Sequence, residues 1–465
     1  MSTVMPPAAS ARRELSAFNG WMVGPEDAGY GDARKVYNAM IDRRPALIAR
    51  PASATAVGQI VRFARDHELP LAVRGGGHNG AGLGTVDDGV VIDLSLMRDV
   101  AVDPQARTVR VGGGCTWGQV DRATGEHGLA TPSGIISTTG VGGLTLGGGL
   151  GHLTRKHGLA IDNLLAADVV LASGEQVRAS ADEHPDLFWA IRGGGGNFGV
   201  VTSFEFRLHE VGTVVAGPTL WAIEHSADVL RVYREFLPAA PRELNGFFAF
   251  LSVPPGPPFP EELHLRKVCG VVWCHVGGDE DAAARAMAPM LDALPEPLLH
   301  GPGPMPHADL QSAFDGVYPP GHQWYWRADF VNEIPDEAVA AHARFGAEMP
   351  TWQSTMHLYP IDGAAHDVAS SDTPWSYRDA RWATVYAGVD PDPANVSAIR
   401  DWTVDYFEAL HPYSAGGAYV NMMMDEGQER VRASYRDNYD RLARIKASCD
   451  PANLFRINQN IRPAA

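Results

Sequence analysis

The spacing of apolar and polar positions divides the chain into two textures. Up to about residue 208, short apolar runs alternate with segments of helical period. Residues 46–49, 69–73, 90–94, 108–111 and 200–208 read as strands, and 168–172 with 176–179 as a hairpin about Ser173-Gly174. Ser53 is placed to cap a helix whose Val57, Ile60, Val61 and Ala64 form one apolar stripe; 117–127 and 186–192 also read as helices. Beyond Val211 the strands lengthen, at 214–223, 246–253, 265–276, 324–332, 355–361 and 382–388. Helical patterns lie among them at 227–237, 280–294, 337–349 and 395–410, and a last helix spans 428–447. Long strands with intervening helices predict an antiparallel sheet covered by helices on one face, so the expected class is α+β.

Composition narrows the function. At 465 residues, 45% apolar and 20% charged, the chain is globular rather than disordered. Its 38 basic against 55 acidic residues give a net charge of −17, which repels polyphosphates and excludes nucleic acid as a partner. No run reaches the 18 apolar residues of a membrane span. Residues 1–19 hold no apolar signal core, and Arg12-Arg13 is followed by Glu-Leu-Ser-Ala-Phe, which is no export signal, so a cytoplasmic protein is expected. Four scattered cysteines make no disulfide framework, and buried thiols are expected for at least three. Cys269 and Cys274, five apart on one strand, point to opposite faces; no zinc-like spacing occurs, and no metal site is expected.

Glycine is the outlier, 50 residues concentrated in loops at 75–77, 112–114, 140–151 and 193–196. Two segments, 75–80 and 194–199, match G-x-G-x-x-G, but neither opens a helix, so the dinucleotide-fold reading fails. Glycines without Cβ let successive backbone N–H groups close on a phosphate. Beside the first loop stands His78, whose neutral imidazole is a potential nucleophile toward an electrophilic cofactor carbon.

Arg74-Gly75-Gly76-Gly77-His78-Asn79 resembles the histidyl-flavin loop of FAD-linked oxidases of the vanillyl-alcohol-oxidase/PCMH superfamily. Gly140-Val141-Gly142-Gly143 with 147–149, and then 193–199, resemble the later flavin loops, while Tyr419-Val420-Asn421 and the tail to Asn460-Ile461 are similar to the berberine-bridge-enzyme-like branch. The resemblance implies a PCMH-type FAD domain over residues 1–212, a substrate domain over 213–419 and a segment, 420–465, returning to the FAD domain. It implies FAD covalently bound through His78, with Arg74, Gly75, Gly76, Gly77, Asn79, Thr139, Gly140, Gly142, Gly143, Asn197, Phe198, Gly199, Val200, Asn458 and Asn460 around it and Asn421 in the catalytic region. The activity implied is oxidation of a small molecule, of secondary-metabolite type, with molecular oxygen reduced to hydrogen peroxide.

Two departures refine that expectation. Many members carry a second link through a cysteine; Ile136 occupies that position, and Cys115 lies in another loop, so attachment through His78 alone is expected. Alcohol- and sugar-oxidising members end their motif in a tyrosine base, where this chain has Met422, and a thioether takes no proton. That favours an amine, a phenol or an enolisable substrate, with His357, Tyr359 and Tyr386 on the substrate strands as candidate bases. The alternatives are a dehydrogenase passing electrons to a carrier, an alcohol or sugar oxidase, and a catalytically idle flavin-binding protein.

Overall fold

The computed structural model describes residues 7–464; the first six residues, which entered the reading of the amino terminus, lie outside them. Three large sheets organise the described residues, beside a two-stranded pair of Leu129–Ala130 with His209–Glu210. The first has Leu47–Pro51 and Leu71–Arg74 parallel to Val90–Asp93 between them, with Gly20–Val23 antiparallel at the edge. Helix Ala54–Asp66 buries the expected stripe against it, and the Ser53 hydroxyl accepts the Ala56 N–H at 3.3 Å. The second sheet is antiparallel, in the order Val100–Asp103, Thr108–Gly112, Val200–Arg207, Leu164–Val170 and Gln176–Ser180.

The third sheet runs Leu299–His300, Thr213–Ala222, Lys267–Val276, Leu244–Ser252, Thr355–Pro360, Trp382–Asp390 and Gln323–Val331, with Gly303–Pro306 also paired to Thr213–Ala222. Its pleat divides two cores. Phe248, Phe250, Val271, Trp273, Met356, Leu358 and Trp382 pack beneath helices Ser226–Ala239, Glu280–Asp292, Asp336–Ala347 and Val396–Leu410. Phe247, Tyr359, Val385, Ala387 and Trp324 face the other way, toward Leu150, Ile161 and Tyr419. Cys269 and Cys274 fall in different cores, as strand alternation requires; Cys115, Cys269 and Cys274 are buried, and all four thiols are free.

Besides short strands that the pattern did not give, among them Gly303–Pro306 within the Gly/Pro-rich 301–306 run, two helical segments differ from the sequence pattern. Within the glycine-dense 140–151 run, Val141–Gly147 is helical, because Val141, Leu144 and Leu146 give it apolar contacts that outweigh the poor helix propensity of glycine. The single helix expected over 428–447 is instead Gln428–Tyr435 and Tyr439–Cys449, broken where Arg436 takes φ +44°. Tertiary contacts hold that break. The Arg436 guanidinium lies 3.5 Å from the Tyr377 ring centre and pairs with Asp379, and the Ser376 hydroxyl donates to the Tyr435 carbonyl. No helix of the described residues is long and apolar enough to cross a membrane.

Candidate active site

Strand Leu71–Arg74 runs directly into the first glycine loop, and a left-handed turn at Gly77 (φ +71°) delivers His78. The His78 ring stacks on Tyr37, with centroids 4.0 Å apart and planes 19° apart, and its Nδ1 lies 3.5 Å from the Thr139 hydroxyl. Thr139 arrives because two loops meet backbone to backbone: a Cβ on Gly76 would come within 2.4 Å of the Gly140 nitrogen. Burial pushes the His78 imidazole down to about 4, so it is neutral at physiological pH.

These loops form one side of a cavity of about 360 Å³ between the flavin-type loops and the third sheet. Gly75, Gly76, Gly77, His78, Asn79, Thr139, Gly140, Gly142, Gly143 and Gly199 line it, joined by Asn458 and Ile457 from the C-terminal segment. The opposite wall carries Thr355, His357 and Tyr359 from one strand, Val385 and Ala387 from its neighbour, and Tyr318, Trp324 and Trp326. Among the described residues that line the cavity, Arg74 is the single Lys or Arg and none is Asp or Glu. On that wall, His357 Nδ1 and the Tyr359 hydroxyl are 2.5 Å apart. Burial lowers the imidazole to about 3 and raises the phenol well above its ordinary value, so both are uncharged.

Tyr386 is not brought to this wall. In the register of Thr355–Pro360 with Trp382–Asp390, His357 pairs with Val385 and Tyr386 with Met356, so Tyr386 belongs to the helix-covered face. Its ring packs 4.5 Å from Tyr406, which removes it from the candidate bases. Arg74 lines the cavity, but its guanidinium is engaged by Asp93 at 2.9 Å and by the Ala33 carbonyl. Phe198 and Val200 are core residues outside the lining. Asn197 is buried behind it: its amide donates to the Gly194 and Gln459 carbonyls and accepts the Ile461 N–H at 2.9 Å, tying the loop at 193–199 to the tail. Asn421 lines the cavity and donates to the Leu144 carbonyl and to the Tyr419 hydroxyl, which also accepts the Gly149 N–H. Asn460 lies outside the lining.

Sequence reasoning passed over several participants. Tyr37 and Tyr318 line the cavity as isolated aromatics in segments without a motif. Lys446 was hidden in a helix pattern, yet it is fully buried and donates to Asp450 at 2.6 Å, to the Asn197 carbonyl at 2.7 Å and to the Phe455 carbonyl. The i,i+4 spacing of Lys446 and Asp450 is the signal that could have found it.

A family model described as an FAD binding domain matches residues 45–180, and one described as berberine and berberine like matches 418–462. The chain belongs to the berberine-bridge-enzyme-like family of FAD-linked oxidoreductases. Over 96% of its length it is 42% identical to (R)-6-hydroxynicotine oxidase of Paenarthrobacter nicotinovorans, covering 97% of that protein. An FAD-linked oxidoreductase of Dictyostelium discoideum is 30% identical over 93% of this chain and 92% of its own. Among solved structures, 6-hydroxy-D-nicotine oxidase from Arthrobacter nicotinovorans superposes with a TM-score of 0.85 at 28% identity, covering 96% of this chain and 98% of that one.

The residues present fit FAD. Added Cβ atoms on Gly143 and Gly196 would meet nothing within 4 Å, which leaves bare backbone along the cavity. On the lining, the Asn458 amide oxygen is buried without a partner. With the Arg74 charge already engaged, a diphosphate here would rest on backbone N–H groups rather than on side-chain cations.

Proposed function

We propose that the chain is an FAD-linked oxidase of a small, uncharged organic substrate, with the flavin held covalently through His78 alone and the chain divided at about residues 212 and 419 into FAD domain, substrate domain and returning segment. When bound, FAD supplies hydride acceptance from a substrate carbon and passes the electrons to molecular oxygen, giving hydrogen peroxide. His78 offers a neutral nitrogen at the end of the triglycine turn, the form needed for a bond to the flavin 8α carbon. Ile136 lines the cavity where a second link would need a thiol, and the buried Cys115 thiol is pushed up to about 11, far from the reactive thiolate.

The observation carrying the substrate class is the chemistry of the far wall. Apart from Thr355 it is aromatic and aliphatic, with one neutral His357–Tyr359 pair and no carboxylate among the described lining residues. A sugar hydroxyl needs a base to become a hydride donor, and Met422 offers none; an imidazole held near 3 retains a proton weakly. A neutral amine, a phenol or an enolisable carbonyl compound already has an electron pair able to drive hydride loss. The similarity to an oxidase named for 6-hydroxynicotine, itself an amine, supports the same class.

Acid precipitation of protein made with ample riboflavin tests the tether: the yellow colour stays in the pellet, and peptide mapping finds flavin on the fragment with His78 and none on that with Cys115. Colour that washes free refutes the tether. Peroxide formed mole for mole with a panel substrate tests the oxidase assignment; electrons passed only to an artificial acceptor would overturn it.

A further inference from the structure

The strand Thr355–Pro360 turns the His357 and Tyr359 side chains toward the cavity, two residues apart on one face. Among the described residues, the Tyr359 hydroxyl has one hydrogen-bond partner, His357 Nδ1. A phenol is the stronger acid of the two and an imidazole nitrogen the stronger base, so the short contact is O–H donating to Nδ1. That fixes the tautomer: the proton of the neutral ring sits on Nε2. His357 Nε2 has no partner among the described residues, yet it is not among the fully buried unpartnered atoms, so the little surface this buried residue keeps is cavity surface. The imidazole packs on Phe247, ring centres 5.0 Å apart, and Trp324 and Trp326 line the same cavity.

We propose that Tyr359 and His357 form a donor relay, Tyr359 O–H to His357 Nδ1 and His357 Nε2–H to the substrate, which selects planar, uncharged molecules presenting a carbonyl oxygen or ring nitrogen as hydrogen-bond acceptor. This rests on the oxidase reading above and makes His357 a positioning group rather than a base. An unmet Nε2–H in an apolar wall is costly, so a molecule lacking an acceptor is penalised by the desolvation of that donor. The ring cannot easily switch roles, because burial holds His357 down to about 3 and leaves it neutral across the working range.

Acetophenone and α-methylstyrene are neutral aromatics of nearly the same size and shape, one with a carbonyl acceptor and the other without. Titrated calorimetrically into flavin-loaded protein, acetophenone should bind about fivefold tighter, the worth of one neutral hydrogen bond. The preference should be constant between pH 5 and pH 9, vanish in H357F, persist in H357Q, whose amide restores a donor, and weaken in Y359F, which keeps the ring. Equal affinities in the parent protein, no binding of acetophenone, or a preference surviving in H357F would overturn the relay. Flavin content is measured on the same preparations: colourless protein that still prefers acetophenone would refute the oxidase reading while leaving the relay standing.

Discussion

Replacing Asp121 with Asn should stabilise the protein, and increasingly so as pH rises from 4 to 7. Asp121 sits on helix Trp117–Gly125, 3% exposed, where that helix meets His307–Ser312. Its Oδ2 accepts from the Gln311 amide at 3.4 Å, while Asp121 Oδ1 and Gln311 Oε1 are buried without partners. Burial raises the carboxyl from 3.8 to about 7, outweighing the Gln311 hydrogen bond and the Arg122 charge, which both pull it down, and the unpartnered acceptors likewise favour the protonated acid. The native state therefore keeps a proton that the unfolded chain sheds. The stability this group contributes is complete below pH 3.8, declines as pH climbs to about 7 and is flat above. At 1.36 kcal/mol per pH unit, the loss by neutral pH is about 4 kcal/mol. Asn is isosteric and never ionises, so D121N escapes it. The buried His152 and His307, lowered by burial to about 3 and about 4, act in the opposite sense and are common to both proteins, so they cancel in the difference. Melting temperatures of D121N and parent from pH 4.5 to 8 read this directly. For a chain this long, the D121N advantage should widen by about 4–8 °C up to pH 7 and then level off. A difference that stays flat with pH, or narrows as pH rises, would show that Asp121 is ionised in the native state and refute the reasoning.

Gly76→Ala forces a Cβ to within 2.4 Å of the Gly140 backbone, so bound flavin, read from the ratio of visible to protein absorbance, should fall sharply; Gly143→Ala, facing open space, should leave the melting temperature unchanged. Lys446→Met removes the cation from a fully buried pair and strands Asp450, which should cost about 3–5 kcal/mol by thermal or chemical denaturation. Asp315 accepts the Ser137 N–H at 3.1 Å and the Ser137 hydroxyl at 2.6 Å, holding the loop with Ile136 and Thr139. Asp315→Ala should therefore lower flavin content and turnover more than it lowers stability, as paired absorbance and melting measurements would show.

Local pattern carried the strands far because each has a strongly alternating or continuous apolar run bounded by turn residues, as Thr355–Pro360 and Trp382–Asp390 show. Which side chains share a face across strands depends on register, which no single strand encodes. His357 and Tyr359 were therefore legible as one pair, two apart on one strand, but Tyr386 was misplaced by one position relative to its neighbour. The loop at 75–78 was legible because its chemistry is local: a positive φ, a close backbone approach and an adjacent imidazole. Tyr37 was not, since its stacking on His78 comes from chain 41 residues earlier with no periodic signal around it.

The same contrast explains why Asn197 and Asn458, alike in sequence, part ways in structure. Asn197 spends both ends of its amide on backbone of its own loop and the tail, and the buried Lys446–Asp450 pair fastens that junction from behind. Asn458 keeps one oxygen unpartnered while lining the cavity, at a cost of about 1–3 kcal/mol for a buried acceptor left unmet. A fold tolerates that cost where a ligand relieves it. The geometry therefore predicts a scaffold role for Asn197 and a cofactor contact for Asn458: Asn458→Ala should weaken flavin retention with little loss of stability, whereas Asn197→Ala should reduce both.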